Sequence, residues 1–362
     1  MKKKELFLIG GLIIFGFIFQ YFDSGDISFI KGCNVNKNSI RDKSYPHEFT
    51  ENFTFDLPAK GLEFDNPAGS VEISPAIDGK IKIESVKIVY HKNDSKVEKY
   101  KNMVKIEKGI NGDKGIIKTG FEGEEFPYSR VRVHFKISVP PATILTVKNR
   151  FGDISIDSSG TSVKVDGKFG AVNIKNISSD INVLNRFGKT RISNIKGKIE
   201  LDLKFSEAEV TGSSSIDCRI SHSSLNLSDI RESNSIKIEG AHTKLTFSDI
   251  NSDLIKIKDS HSRINLSDIN AKELLITSRH CNIDTDNLNS DSISIKNSYN
   301  SIRMKNLNGS TLNILLSHGN LQLSLSSMFK KIFITNSYSD IKLAIPDGTN
   351  PSLSMNTKYG DI

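Results

Sequence analysis

The chain has 362 residues, 37% of them hydrophobic, with three Cys, no Trp, and 49 Lys and Arg against 42 Asp and Glu, a formal charge of +7. Along the sequence the cations are scattered among the acids and form no stripe beyond Lys2 to Lys4, which argues against a nucleic-acid partner. Cys33, Cys218 and Cys281 match no metal or redox spacing, so the chain is not expected to rely on disulfides or a bound metal.

Residues 1–5 are basic and 6–22 then run without a charge. This predicts a cytoplasmic tail at 1–5, a transmembrane anchor at 6–22 and a linker at 23–48. A cleaved signal peptide is the rival, but cleavage needs small residues at the −3 and −1 positions, and Phe22, Asp23, Ser24, Gly25 and Asp26 offer no such pair. A lipoprotein would use Cys33, whose preceding box is interrupted by Lys31. The expected location is therefore a bacterial cell membrane, crossed once, with the bulk of the chain extracytoplasmic, either periplasmic or at the cell surface.

Residues 49–141 read as an N-terminal β-rich cap. Leu62, Phe64, Val71 and Ile73 around Ala68 and Gly69 suggest a first coil, isolated from the repeats that follow. Ile81, Ile83, Val86 and Ile88 suggest a strand or hairpin. Ser95 with Glu98 forms a capping box for a short helix at about 94–107. A glycine-rich polar loop follows, then Val131, Val133, Phe135, Ile137 and Val139 alternate until Pro140 and Pro141 stop the strand. The whole is expected to be a β-α-β insertion covering one end of a solenoid.

Residues 142–362 repeat. An aromatic or His recurs at Phe151, Phe169, Phe187, Phe205, His222, His242, His261, His280, Tyr299, His318, Tyr338 and Tyr359, at intervals of 17 to 21 residues. Taking that residue as position zero, positions −6 and −4 are apolar in every coil, from Leu145 and Val147 to Leu353 and Met355. Positions +3 and +5 are apolar too, with Thr190, Ala208 and Thr285 as weak members, and position +4 between them is polar. Period-two alternation means half-buried strands, two per coil, which bury their inner faces only when coils stack. The fold class is all-β: a single-stranded parallel β-solenoid (β-helix) of about 19-residue coils, with the β-α-β capping insertion and one transmembrane helix. At one strand spacing per coil the repeats would extend roughly 50 Å, and Cys218 and Cys281, roughly 14 Å apart, would be free thiols. The last residues, Gly360 to Ile362, fall in mid-coil, so a covering partner or further chain is expected there.

Three features invite a chemical reading. The column of His222, His242, His261 and His280 tempts a metal hypothesis, but Phe and Tyr share it, so flat rings stacked at a corner explain it better. Asn176, Asn194, Asp229, Asp249, Asp268, Asn287 and Asn306 form a second column that suits a left-handed turn, with a weak cation site as the alternative. Glu209, Arg191, Asp284 and Arg303 on outward positions would be the acids and cations of a β-helix polysaccharide lyase or hydrolase, though outward positions vary from coil to coil as a solvated face does. Phosphate-loop, serine-elbow and zinc-helix motifs are all missing. The expectation is a non-enzyme with no catalytic, cofactor or metal residues and no cofactor.

The Asn-Arg-Phe-Gly phrases at Asn149–Gly152 and Asn185–Gly188, with Asn66-Pro-Ala-Gly-Ser-Val-Glu-Ile73 and the Ile137-Ser-Val-Pro140 run, resemble those of the bacterial putative-adhesin β-solenoids. That resemblance, over about residues 50–362, implies an exported, membrane-anchored protein and supplies no catalytic residues. The chain is thus expected to be a cell-envelope protein presenting a binding, adhesion or scaffold surface to a glycan, cell-wall or protein ligand. An envelope-stress or signalling accessory working through a membrane partner is the alternative. Outward apolar anchors are few, Leu275 and Phe333 among them.

Overall fold

The computed structural model describes residues 45–55, 60–123, 125–157, 159–327, 329–347 and 352–361. The expected tail, anchor and most of the linker lie outside the described residues, as does Cys33. Among the described residues no helix is long and apolar enough to cross a membrane.

The expected coils are present. Between Ile144 and Thr357 each coil's strands pair in parallel with their copies in the coils before and after, in the register the apolar columns dictate. Leu145 lies opposite Val163, Val163 opposite Ile181, and Ile181 opposite Ile199, and the last coils continue with Ile314 opposite Ile334 and Ile334 opposite Met355. The inward columns form one apolar core, in which the weak members Thr190 and Ala208 are fully buried and Thr285 nearly so. Each coil has a third inward row beyond the two expected strands. It starts just after the Asn/Asp turn and includes Ile177, Ile195, Ile230, Ile250, Ile269, Leu288 and Leu307, all buried. Parallel pairing resumes directly after that turn, so the strand span runs from Lys189 to Lys204 and the next from Glu207 to Ser221, each with a register shift near the turn.

The N-terminal region departs from expectation in three ways. β1 (Pro46–Phe55), β2 (Gly61–Ala68), β3 (Val71–Pro75) and β4 (Ile81–Tyr90) are followed by α1 (Asp94–Met103), β5 (Val104–Asn111), β6 (Lys114–Phe121) and β7 (Val131–Val139). β8 (Ile144–Phe151) and β9 (Ile154–Asp157) begin the repeats.

First, the β2–β3 coil is isolated only in sequence. Leu62 lies opposite Leu145 and Val71 opposite Ile154, so this coil rests directly on β8 and β9. Second, the intervening segment is more than β-α-β. β6 and β7 pair in parallel with β2 and β3 and add a further coil. β4 runs antiparallel to β7, β1 to β4, and β5 to β6. The segment expected as a polar loop holds the β5–β6 hairpin, which turns through Gly112, φ 63, and Asp113, with glycine first as such two-residue turns favour. Third, α1 stops at Met103 because Val104 enters β5, and its N-cap is Asn93. The Asn93 side chain accepts from the amides of Ser95 (2.9 Å) and Lys96 (3.2 Å), in place of the Ser95–Glu98 box. In β4 the inward face holds Ile81, Ile83, Ser85, Lys87 and Val89. Val86 and Ile88 lie on the other face, and Lys87 is tied to Glu51 at 2.7 Å.

Candidate functional site

The ring side chains at position zero stack without interruption from Phe151 to Tyr359, with centroids 4.5–5.2 Å apart and planes 2–24° from parallel. One strand spacing per coil sets this distance, and each contact is worth roughly 0.5–1.5 kcal/mol beyond burial. Ala68 carries no ring in the coil before Phe151. Tyr128, from the loop before β7, takes that place, 4.7 Å from Phe151. The imidazoles of His222, His242, His261 and His280 lie face to face in this column, so their nitrogens run side by side and do not converge. Among the described residues no group of three or more His, Cys, Asp or Glu is placed to hold a metal.

The corner has two forms. Around Ala68 and Phe151 the glycine after the ring position takes a positive φ, 124 at Gly69 and 134 at Gly152. From Phe187 to His280 the ring residue itself is left-handed, with φ between 51 and 59. A non-glycine residue there costs roughly 1–2 kcal/mol, which the ring stack and backbone bonds offset. From Phe205 onward this form leaves room for a side chain at position +1.

That room holds a row of buried hydroxyls. Ser223 Oγ accepts from the Ser206 amide at 2.8 Å and Ser262 Oγ from the Thr243 amide at 2.8 Å. Beneath them Asp259 is buried and accepts from Thr243 Oγ1 (2.5 Å), Ser262 Oγ (2.7 Å) and the Ser260 amide (2.7 Å). Burial pushes its pKa above the usual 3.8, against these hydrogen bonds and the field of His242. A carboxylate raised in the fold binds its proton more tightly there than in the unfolded chain. Its stability contribution is therefore greatest in acid and is lost as pH rises from about 3.8 through the folded value. Asp259→Asn, which places an amide where other coils have Asn, is expected to raise stability at pH 7 by about 1 kcal/mol. Melting curves from about pH 4 to about pH 7 should show the variant's advantage growing as pH rises; an unchanged difference across that range would refute it.

All seven residues of the Asn/Asp turn column are left-handed, φ 51–59, and Gly212 (φ 60) fills the coil between Asn194 and Asp229. Their amides reach from coil to coil: Asn194 Nδ2 donates to Asn176 Oδ1 at 2.8 Å and Asn287 Nδ2 to Asp268 Oδ1 at 2.6 Å. A parallel exposed ladder joins Asn251, Asn270, Asn289 and Asn308. Within the turn column Asn176 and Asn306 reach Asp157 and Asp286 in the coil before, and Asp229 accepts from Arg231; each donating ladder amide uses one N–H on its neighbour and keeps the other.

The outward acids and cations pair across neighbouring coils. Arg191 Nε lies 3.2 Å and Lys189 Nζ 2.6 Å from Glu209, and Arg303 Nη1 is 3.8 Å from Asp284. The Lys189 ammonium holds the Glu209 carboxyl below its usual range, the opposite of what a general acid at neutral pH needs. Arg191 with Glu209 and Arg303 with Asp284 form separate pairs, and exposed pairs of this kind contribute about 0–1 kcal/mol each. Cys218 and Cys281 are free and buried, and burial raises both thiols, so neither is poised as a nucleophile.

Position −2 holds what the sequence reading missed. Asn66, Asn149, Asn185, Asn297 and Asn336 point inward and are almost fully buried. Asn149 Nδ2 donates to Gly69 O (2.8 Å) and Gly152 O (2.9 Å), and Asn297 Nδ2 to Cys281 O (2.9 Å). The repeated Asn two residues before the ring was the available signal.

The molecule is thus a parallel β-solenoid with a ring-stacked corner and polar outward faces. Residues 231–362 match the family model described as Toastrack DUF4097, so the C-terminal coils carry that family's pattern and the resemblance to adhesin-type β-solenoids stands. Among solved structures, a putative cell adhesion protein from Clostridium sporogenes is 12% identical, with 78% of this chain and 100% of that one covered and a TM-score of 0.21. Putative adhesins from Bacteroides fragilis and Parabacteroides merdae are 10% and 11% identical, each covering 87% of this chain and 97% and 96% of their own, with TM-scores of 0.25. No curated protein matches the chain.

Proposed function

We propose that the chain is a non-enzymatic cell-envelope protein, held to the membrane by its N-terminal segment, whose solenoid serves as a binding, adhesion or scaffold surface outside the cytoplasm. The observation that carries this reading is the in-register repetition of outward polar groups, as in the Asn251–Asn270–Asn289–Asn308 ladder. A surface that offers the same groups at each step suits a repeating ligand, whose weak contacts add through linkage. The C-terminal family match and the adhesin descriptions of the solved structures agree with it. In this reading β1, β4 and β5 shield the outermost coil from edge pairing.

The test is retention of the full chain, purified in detergent, on isolated cell walls and intact bacteria. Retention on either is expected. Failure on both, with a membrane protein co-purifying, would instead assign the chain an accessory role in envelope signalling.

A further inference from the structure

The cations that look scattered in the sequence form a row once the coils stack. The residue just before the ring is Arg150, Lys168, Arg186 and Lys204 in four successive coils. Asn149, Gly167 and Asn185 are in register immediately before the first three, and Arg186 lies directly opposite Lys204. The charges therefore advance by about 4.8 Å per step, and like charges side by side repel.

Some other outward cations have neighbouring-coil acids. Lys175 meets Asp157 at 3.0 Å, Lys258 meets Glu239 at 3.4 Å and Lys272 meets Asp253 at 2.7 Å. Among the described residues none of the four row cations has a carboxylate within ion-pair distance. Asp166 and Asp202 share their outward side two residues earlier. Beyond the ring, Glu207 is taken by Lys189 at 3.3 Å, and Asp153 accepts from the Ala171 amide at 2.8 Å. Two of the four sit beside rings instead: Arg150 donates to the Tyr128 hydroxyl at 2.7 Å, and Lys168 Nζ is 5.3 Å from the Phe169 centroid. Past Lys204 the same corner opens into a shallow groove of about 630 Å³ lined by Phe205, His222, His242, His261 and Lys244 among others.

We propose that the ring corner from Arg150 to the groove at His261 is a track for a linear acidic polysaccharide, with one carboxylate-bearing sugar per coil. This rests on the reading of the solenoid as a binding surface and names its ligand class. An extended pyranose chain advances by roughly one coil spacing per sugar and turns successive carboxylates to opposite edges, so about every second carboxylate faces the row while the flexible Arg and Lys side chains, ring edges and Tyr128 line its path. A duplex nucleic acid turns its phosphates away from a straight line within a few steps.

The experiment titrates the full chain in detergent with polygalacturonate, using neutral dextran and duplex DNA as comparators. Polygalacturonate should bind, and weaken about tenfold or more as salt rises from low to several hundred millimolar. The quadruple variant R150Q/K168Q/R186Q/K204Q should lose about tenfold or more in affinity, whereas K175Q/K272Q, drawn from ion-paired cations, should not. An unchanged or higher melting temperature of the quadruple variant separates lost binding from lost fold. Equal affinity of the quadruple variant, polygalacturonate bound no tighter than dextran, or row-dependent binding of DNA tighter than polygalacturonate overturns the proposal. If cell walls are retained equally by wild type and quadruple variant, the track fails and the binding-surface reading survives. If wild type binds neither walls, cells nor polygalacturonate, the reading itself fails.

Discussion

Gly170→Ala is expected to lower stability by about 3 kcal/mol or more, because the added methyl has nowhere to go. A Cβ at Gly170 would lie 2.1 Å from Gly152 O and 2.5 Å from its carbonyl carbon. Neither atom belongs to a side chain that could swing aside. The same contact recurs along the stack: Gly188 would meet Gly170 O at 2.0 Å, and Gly152 would meet Gly69 O at 2.3 Å. Coils here approach closely at position +1, and the strands on either side fix the spacing. Urea unfolding followed by circular dichroism should show the loss. Hydrogen exchange should localise it to the coils around Phe151 and Phe187 and leave the coils around Ile257 and Ile276 protected, since each coil contacts only its neighbours. Gly109→Ala is the control. It sits in β5 with nothing within 4 Å and should leave stability unchanged or slightly raised. Equal midpoints for the two variants would refute the close approach.

What could be read from the sequence was whatever repeats. The ring column, the −6 and −4 pair, and the Asn/Asp turns recur coil after coil, so each residue was checked by its copies, and Thr190 or Ala208 could be placed inward despite weak character. Elements that occur once had no such check. The β5–β6 hairpin reads as a loop in the sequence because its inward face is short, with Ile117 fully buried and most of β5 exposed. In β4, Ser85 and Lys87 occupy the inward face, so the apolar residues switch from Ile81 and Ile83 to the other face at Val86 and Ile88, which leaves strand and hairpin equally compatible with the sequence. The basic row was hidden for a different reason. Arg150 and Lys168 are distant in the chain and adjacent only through strand pairing, so no window along the sequence contains them.

The buried Asn at position −2 was hidden by chemistry, since an inward position that is Asn, Gly, Leu, Ile, Asp, Ser or Thr in different coils looks like no column at all. Its role at the glycine-type corner makes a second large effect predictable: Asn149→Ala should cost about 2–4 kcal/mol. Asn149 is 2% exposed, and its amide nitrogen is shared between the carbonyls of Gly69 (2.8 Å) and Gly152 (2.9 Å), one from each of two stacked coils. Removing it deprives two carbonyls of a donor at a corner where, by the Gly170 argument, the backbone has no room to rearrange or admit water. Asn185 is a contrasting case. It donates to Thr190 Oγ1 at 2.9 Å in a coil whose corner is already left-handed at Phe187, and its partner in the next coil is Leu203. Asn185→Leu should therefore cost about 1 kcal/mol or less, the value of a single hydrogen bond. Measured side by side by urea unfolding, Asn149→Ala should shift the midpoint several times further than Asn185→Leu. Equal shifts would mean that the buried amides fill space and that the corner carbonyls do not depend on them.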